Sequence, residues 1–248
     1  MKRLVMVWAL LCPLAIIGLN AQQSSFYIGA RAGVNTSKFK FTEDLKELYP
    51  TTHSIFGVNG GLDMGLHLNK WTISTGLHYV QKGSEYQTDN FEENGTVGYF
   101  TARERLHYVT ILLLLGYRDY LANRIGWSIA IGPSFNFGLG GKVDETTEYF
   151  GTDETDVQNF KVAFGEGVNE DYKSQQVGFQ ISPGIFLELN ERSKLLFNIT
   201  WDLGTADIFN PRYKDANDFF NGRKGNQTNR TAMFTIGYEY HFNFEDKY

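Results

Sequence analysis

Ten ionisable side chains occur at positions from which they could act together: Arg31, Asp63, His67, His78, Lys82, Arg118, Glu188, Asp202, Glu239 and His241. Histidines among carboxylates are the material of general acid–base catalysis or a proton relay, because imidazole exchanges protons near neutral pH and a carboxylate can orient it. The same set can do something plainer: cations and acids brought into one narrow space pair with each other and close it. Which of the two applies depends on the elements that place them. Each residue stands in a segment of alternating pattern, on the face otherwise given to glycine, serine, threonine and asparagine.

The alternation is clearest at residues 127–140, "WSIAIGPSFNFGLG", where Trp127, Ile129, Ile131, Pro133, Phe135, Phe137 and Leu139 are separated by small or neutral polar residues. Period 2 sends alternate side chains to opposite faces of a sheet. The same code recurs at about 26–39, 56–68, 71–82, 104–118, 177–188, 195–204 and 234–244, which makes eight candidate strands. Pro133 brings no ladder donor, so a bulge is expected there.

The connections separate a soluble sandwich from a membrane barrel. Short links at Asn69–Lys70, about 119–124 and about 190–193 alternate with long ones at about 40–53, 87–103, 141–173 and 206–229. Strict alternation fits an up-and-down meander with its long loops at one rim. One face carries Arg, Asp, Glu and His among its small residues, too polar for a dry core, so the apolar face is expected to meet lipid. The reading is an all-β fold: an eight-stranded antiparallel up-and-down transmembrane β-barrel. An eight-stranded lumen is narrow enough to be filled by side chains, which favours a plug of paired charges over a catalytic site. Within it Arg118 is expected to bond Glu188 or Glu239, and Arg31 to bond Asp63.

The chain has 248 residues and a formal charge of −5, which argues against nucleic acid as a partner. Lys2 and Arg3 precede an apolar run from Leu4 to Leu19, and Asn20 and Ala21 follow it. The pattern is that of a secretory signal cleaved after Ala21, leaving 22–248 as one barrel domain. Cys12 would leave with the signal, so no disulfide or thiolate metal site is expected in the mature chain.

Residues 108–117, "YVTILLLLGY", are apolar almost throughout, and their phase is ambiguous from composition alone. They resemble the segment Y-L-E-I-P-L-L-L-K-Y of the PorT-like outer-membrane β-barrel proteins of the Bacteroidota; "IGARAGVNTSKF" at 28–39 and "IGPSFNFGLGGK" at 131–142 are similar to that family's first and fifth strands. The family's Glu, Pro and Lys positions hold Thr110, Leu112 and Gly116 in this chain. The resemblance implies that Val109, Ile111, Leu113, Leu115 and Tyr117 face lipid while Tyr108, Thr110, Leu112, Leu114 and Arg118 face inward. It also implies an outer-membrane location and, for some members, service to a type IX secretion system.

Other motifs weigh less. "GLGGK" at 138–142 lacks the spacing of a phosphate loop and reads as a strand entering its loop. The segment 141–173 holds nine acids, Asp144, Glu145, Glu148, Asp153, Glu154, Asp156, Glu166, Glu170 and Asp171, against three lysines. Without the spacing of a known calcium loop, solvated acidic surface is the better reading. The long connections carry surplus aromatics, Phe41, Tyr49, Phe91, Tyr99, Phe100, Phe209, Tyr213, Phe219 and Phe220, which suit either an interaction site or packing over the barrel mouth. No cofactor is implied. The expected role is structural or adhesive, through long external loops, with outer-membrane lipid as the first partner and envelope or secretion-system proteins as further candidates. A secretion accessory, a small pore and a lipid-directed enzyme are the alternatives, and no catalytic residue is assigned.

Overall fold

The computed structural model describes residues 24–93, 96–151, 155–167, 169–211 and 225–243. Its elements are β1 (Ser24–Phe41), α1 (Asp44–Leu48), β2 (Thr51–His53), β3 (Ile55–Leu68), β4 (Trp71–Glu93), β5 (Thr96–Ala122), β6 (Ile125–Tyr149), β7 (Thr155–Val162), β8 (Gln175–Asn190), β9 (Ser193–Gly204) and β10 (Gln227–Asn243). The pairing runs β4-β3-β1-β10-β9-β8-β6-β5, and β5 pairs back onto β4. Eight antiparallel staves therefore close on themselves, with β2 and β7 as short additions on β4 and β6. Closure removes both sheet edges, which no open sheet of this exposure could leave bare.

The two faces are inverted relative to a soluble protein. On β1 the outward Ile28 and Val34 are exposed while Tyr27, Asn35 and Ser37 are buried. On β6 the outward Ile129, Ile131 and Phe135 are exposed, and Ser128, Ser134 and Asn136 are buried. On β5, Ile111, Leu113 and Leu115 are exposed, whereas Tyr108, Thr110, Leu112, Leu114 and Arg118 are buried. A belt of exposed apolar side chains thus surrounds a polar interior, the arrangement that a hydrocarbon solvent selects.

Short links join β3 to β4, β5 to β6 and β8 to β9, leaving only residues 69–70, 123–124 and 191–192 between strands. At the first of these Asn69 takes φ 58°, a left-handed conformation that asparagine tolerates. The other rim differs from the expectation of free loops. Segment 87–103 is mostly strand: β4 runs to Glu93 and β5 starts at Thr96, paired from Glu93↔Thr96 inward with one irregularity between Thr88 and Phe91. Part of 141–173 is likewise strand, because β6 continues to Tyr149 and pairs with β7 from Glu148↔Thr155 to Gly141↔Val162. These hairpins are rich in threonine, tyrosine and phenylalanine, residues that suit a pleated surface. Among the described residues only their lower ends, at Tyr86, Ala102, Val143 and Val162, enter the buried cluster, and β7 is exposed on both faces from Thr155 to Lys161, so apolar alternation does not mark them.

Pro133 makes no bulge. It pairs with Phe179 on β8, and the β5–β6 ladder lapses only between Leu112↔Ser134 and Leu115↔Ile131 and resumes in the same register. That ladder shifts register elsewhere: between Tyr120 and Ala122 near the short turn, and six residues beyond Pro133, where His107↔Gly140 is followed by Tyr108↔Gly138 and Leu139 is the extra residue. Gly140 there has φ 144°, a conformation open to glycine.

Candidate functional site

The inward side chains form successive polar layers. Nearest the short-turn rim, Arg118 on β5 reaches across the barrel to Glu239 on β10, with Nη1–Oε2 2.6 Å and Nη2–Oε1 2.8 Å. The Tyr27 ring lies 5.4 Å from the guanidinium carbon. In the next layer Asp63 on β3 accepts from Arg31 Nε at 2.6 Å, and its other oxygen lies 3.0 Å from His78 Nε2. Above that, Lys82 Nζ on β4 donates to Asp202 Oδ2 at 2.6 Å and to Asn136 Oδ1 at 2.9 Å, while Ser134 Oγ donates to Asp202 Oδ1 at 2.8 Å. Tyr108 then receives Gln176 Nε2 at 2.9 Å.

Glycines leave room for these pairs. A Cβ on Gly76 would stand 2.5 Å from Asp63 Oδ1, and one on Gly178 would stand 2.6 Å from both Asp202 Oδ1 and Ser134 Oγ. Between the Arg118 and Arg31 layers the void is about 20 Å³, room for about one water. A charged interior this tight tolerates its ions only because each has a partner.

The remaining members of the set lie at the short-turn rim, around a vestibule of about 390 Å³ that Ser25, His67, Arg118, Glu188, Lys194 and His241 help to line. Glu188 accepts from Tyr120 Oη at 3.2 Å and not from Arg118. The rings of His67 and His241 meet edge to face at 6.0 Å. Lys194 is a buried cation that the sequence reading left out; its Nζ lies 5.2 Å from the Phe186 ring centre and 4.0 Å from Glu188 Oε1. It shares the phase of Leu196 and Asn198, and starting that strand at Leu195 concealed it.

Ser25, His241 and Glu239 stand in the order nucleophile, base and acid. Ser25 Oγ is 3.0 Å from His241 Nδ1, and His241 Nε2 is 3.4 Å from Glu239 Oε2. The second contact lacks hydrogen-bond alignment, and both Glu239 oxygens are bonded to Arg118. An acid so committed does not orient the imidazole as a triad requires.

At the opposite rim the interior ends in an aromatic cluster with one acid in it. Glu104 on β5 accepts from Tyr86 Oη on β4 at 2.5 Å and from Tyr172 Oη, on the segment before β8, at 2.5 Å. Around it Tyr86 packs against Tyr49 at 4.6 Å and Phe41 at 5.5 Å, and Tyr172 stacks on Phe209 at 5.4 Å. The cluster floors a cavity of about 530 Å³, at whose sides lie Glu145, Lys161 and Asp171. At this height the outward side chains are charged: Arg105 Nη1 is 2.8 Å from Asp144 Oδ2 and Lys142 Nζ is 2.6 Å from Asp144 Oδ1. The site therefore stands above the apolar belt. Burial pushes the Glu104 carboxyl up to about 7, opposed by the hydrogen bonds from Tyr172 and Tyr86 and assisted by the charges of Asp171 and Glu145. Burial, reinforced by Glu104, also raises both tyrosines well above their ordinary range.

Glu104 was not among the residues singled out in the sequence, because it stood at the edge of an expected loop. Phe41, Tyr49, Phe100 and Phe209 pack about the mouth. Tyr99 meets Phe150 at 4.6 Å. Tyr213, Phe219, Phe220, Phe244, Asp153, Glu154 and the expected signal lie outside the described residues, as does the side chain of Phe91. "GLGGK" falls on β6 around the bulge. Among the described residues no cluster of histidine, cysteine, aspartate or glutamate could hold a metal ion.

Similar solved structures are outer-membrane barrels. Neisserial surface protein A is 11% identical, with 89% of this chain and 100% of that chain covered and a TM-score of 0.40. OprG of Pseudomonas aeruginosa is 15% identical, covering 89% and 97%, with a TM-score of 0.41. Ail, the attachment invasion locus protein of Yersinia pestis, is 10% identical, covering 88% and 99%, with a TM-score of 0.36. No curated protein matches the chain. The family described as outer membrane protein beta-barrel domain matches residues 20–210, more than three-quarters of the sequence, ending in the connection after β9 and leaving out β10, whose pairing with β9 and β1 completes the ring. That match covers most of the chain, and the chain belongs to this family: it is an outer-membrane β-barrel protein.

Proposed function

We propose that this barrel is a closed surface protein, with signal 1–21 removed, whose role is adhesion or binding at the external rim and neither transport nor catalysis. The observation that supports the reading is the stack of buried ion pairs in the lumen: Arg118–Glu239 and Lys82–Asp202 reach across the barrel, and Arg31–Asp63–His78 ties together the neighbouring strands β1, β3 and β4. Short turns conventionally face the periplasm, which puts the β4–β5 and β6–β7 hairpins outside the cell. Hairpins that rise above the bilayer have no anchoring task, and their expected task is contact. The likeness of 108–117 to the PorT-like barrels suggests a secretion accessory as the second role. It ranks lower because Thr110 and Gly116 stand where that segment carries its acid and base.

The test compares cells displaying the full protein with cells displaying a variant whose two hairpins are cut back to short turns near residues 85–102 and 143–162. Both should reach the outer membrane and shift on gels after boiling. Only the full protein should hold cells on immobilised fibronectin, collagen or polystyrene. Equal adhesion of the trimmed form contradicts the reading.

A further inference from the structure

The cup at the long-connection rim has features that packing alone does not call for. Its two aromatic walls, Tyr49–Tyr86 on one side and Tyr172–Phe209 on the other, leave about 530 Å³ between them, a volume usual for small-molecule sites. Glu104 joins the walls from below, one carboxyl oxygen to each tyrosine hydroxyl. Each oxygen keeps a second lone pair, so the carboxylate can accept from a further donor or face a cation. Among the described residues the ionisable groups that line the space with Glu104 are Tyr49, which follows α1, Tyr86 from β4, Glu145 from β6, Lys161 from β7, and Asp171 and Tyr172 ahead of β8; Gln227 from β10 reaches Tyr172 Oη at 3.4 Å. Among these described residues, three carboxyls, Glu104, Glu145 and Asp171, against one amine, Lys161, make the cup acidic. Aromatic faces present negative charge to a ligand as well, and in a desolvated space the two effects favour the same guest.

We infer that this cup binds an organic cation, a small molecule carrying an alkylated ammonium group, with Glu104 as the counter-charge and the tyrosine and phenylalanine rings as the cage. A hydrated metal ion would find too few oxygen ligands, and an anion would be repelled by Glu104, Glu145 and Asp171. The site adds a small-molecule function to the loop-borne role and stands whether or not the hairpins adhere. It carries its own pH dependence: Glu104 is charged above about 7 and neutral below, so the cation should bind in the alkaline range and be lost on acidification.

Choline and its uncharged carbon analogue, 3,3-dimethylbutan-1-ol, separate charge from shape. Calorimetric titration of the full-length barrel, folded in octyl glucoside micelles free of choline headgroups, should show choline binding at pH 8.5, with the analogue at least about tenfold weaker. Glu104→Gln, checked for folding by the gel shift on boiling, should weaken choline at least about tenfold and leave the analogue unchanged. The unsubstituted protein supplies the parallel test: its affinity for choline should fall on going from pH 8.5 to pH 5.5. No choline binding, equal binding of the two compounds, or a folded Glu104→Gln variant with unaltered choline affinity overturns the proposal.

Discussion

Glu239→Ala is the perturbation that most sharply tests how the lumen is held. With Glu239 in place the short-turn half of the lumen balances three cations, Arg118, Arg31 and Lys194, against three acids, Glu239, Asp63 and Glu188. Removing it leaves one excess cation, and the group most affected is Arg118, whose side chain is 8% exposed and which loses both of its short bonds. The Tyr27 ring at 5.4 Å is then its nearest compensation. Breaking a buried pair by deleting one partner costs about 3 to 5 kcal/mol, whereas replacing both partners by apolar residues of similar volume is often near neutral. The expectation is therefore a loss of about 3 to 5 kcal/mol for Glu239→Ala, with most of it recovered in Arg118→Met/Glu239→Leu. Urea unfolding from phosphatidylcholine vesicles measures both. Trp71, Trp127 and Trp201 face outward in the apolar belt, so their emission shifts as the strands leave lipid. If the single variant loses less than about 1 kcal/mol, or if the double variant loses as much as the single, Arg118 does not depend on Glu239 and the argument from pairing is wrong.

Two further expectations concern the outer face and the cup. Ile131 sits at the centre of the outward row of β6, so Ile131→Arg should cost about 2 to 4 kcal/mol in the same assay, and a cost near zero would mean that this face does not meet lipid. Glu104 has its carboxyl raised from 4.5 to about 7, so the fold favours its neutral form: the stability is present in full below pH 4.5 and declines as pH rises through 7. That penalty is on the order of 3 kcal/mol. Glu104→Gln should match the unsubstituted protein near pH 4.5 and exceed it at pH 8.5. A difference between the two that is flat across this range would show that Glu104 ionises without strain.

The strand faces were legible because the chain meets two different solvents: each stave must be apolar outside and small or polar inside along its whole crossing. The segment "YVTILLLLGY" was the exception: Leu112 and Leu114 share the inward face with Thr110, so its phase came from the resemblance and not from the alternation. Legibility ended where that contrast ended. Above the belt the outer face of the β4–β5 and β6–β7 hairpins is charged and β7 is exposed on both faces, so segments 87–103 and 141–173 read as loops. Alternation gives the face of a residue but not its height, and Lys82 and Asp202, 120 positions apart, meet only through the stagger of the closed ring. The rule that proline signals a bulge failed at Pro133, because a lapse in the β5–β6 ladder absorbs the missing donor without a change of register. Glu104 was missed for a related reason. Its significance lies in Tyr86 on the paired strand β4 and in Tyr172, 68 positions further along, and nothing local to residue 104 announces them.

Conductance across a planar lipid bilayer tests the closed lumen most directly. The barrel reconstituted at neutral pH should insert, as shown by protection of its strands from added protease, and give no stepwise current under applied voltage. Long-lived ohmic steps from the unsubstituted protein would mean that the ion-paired layers do not seal the interior, and would make it a pore.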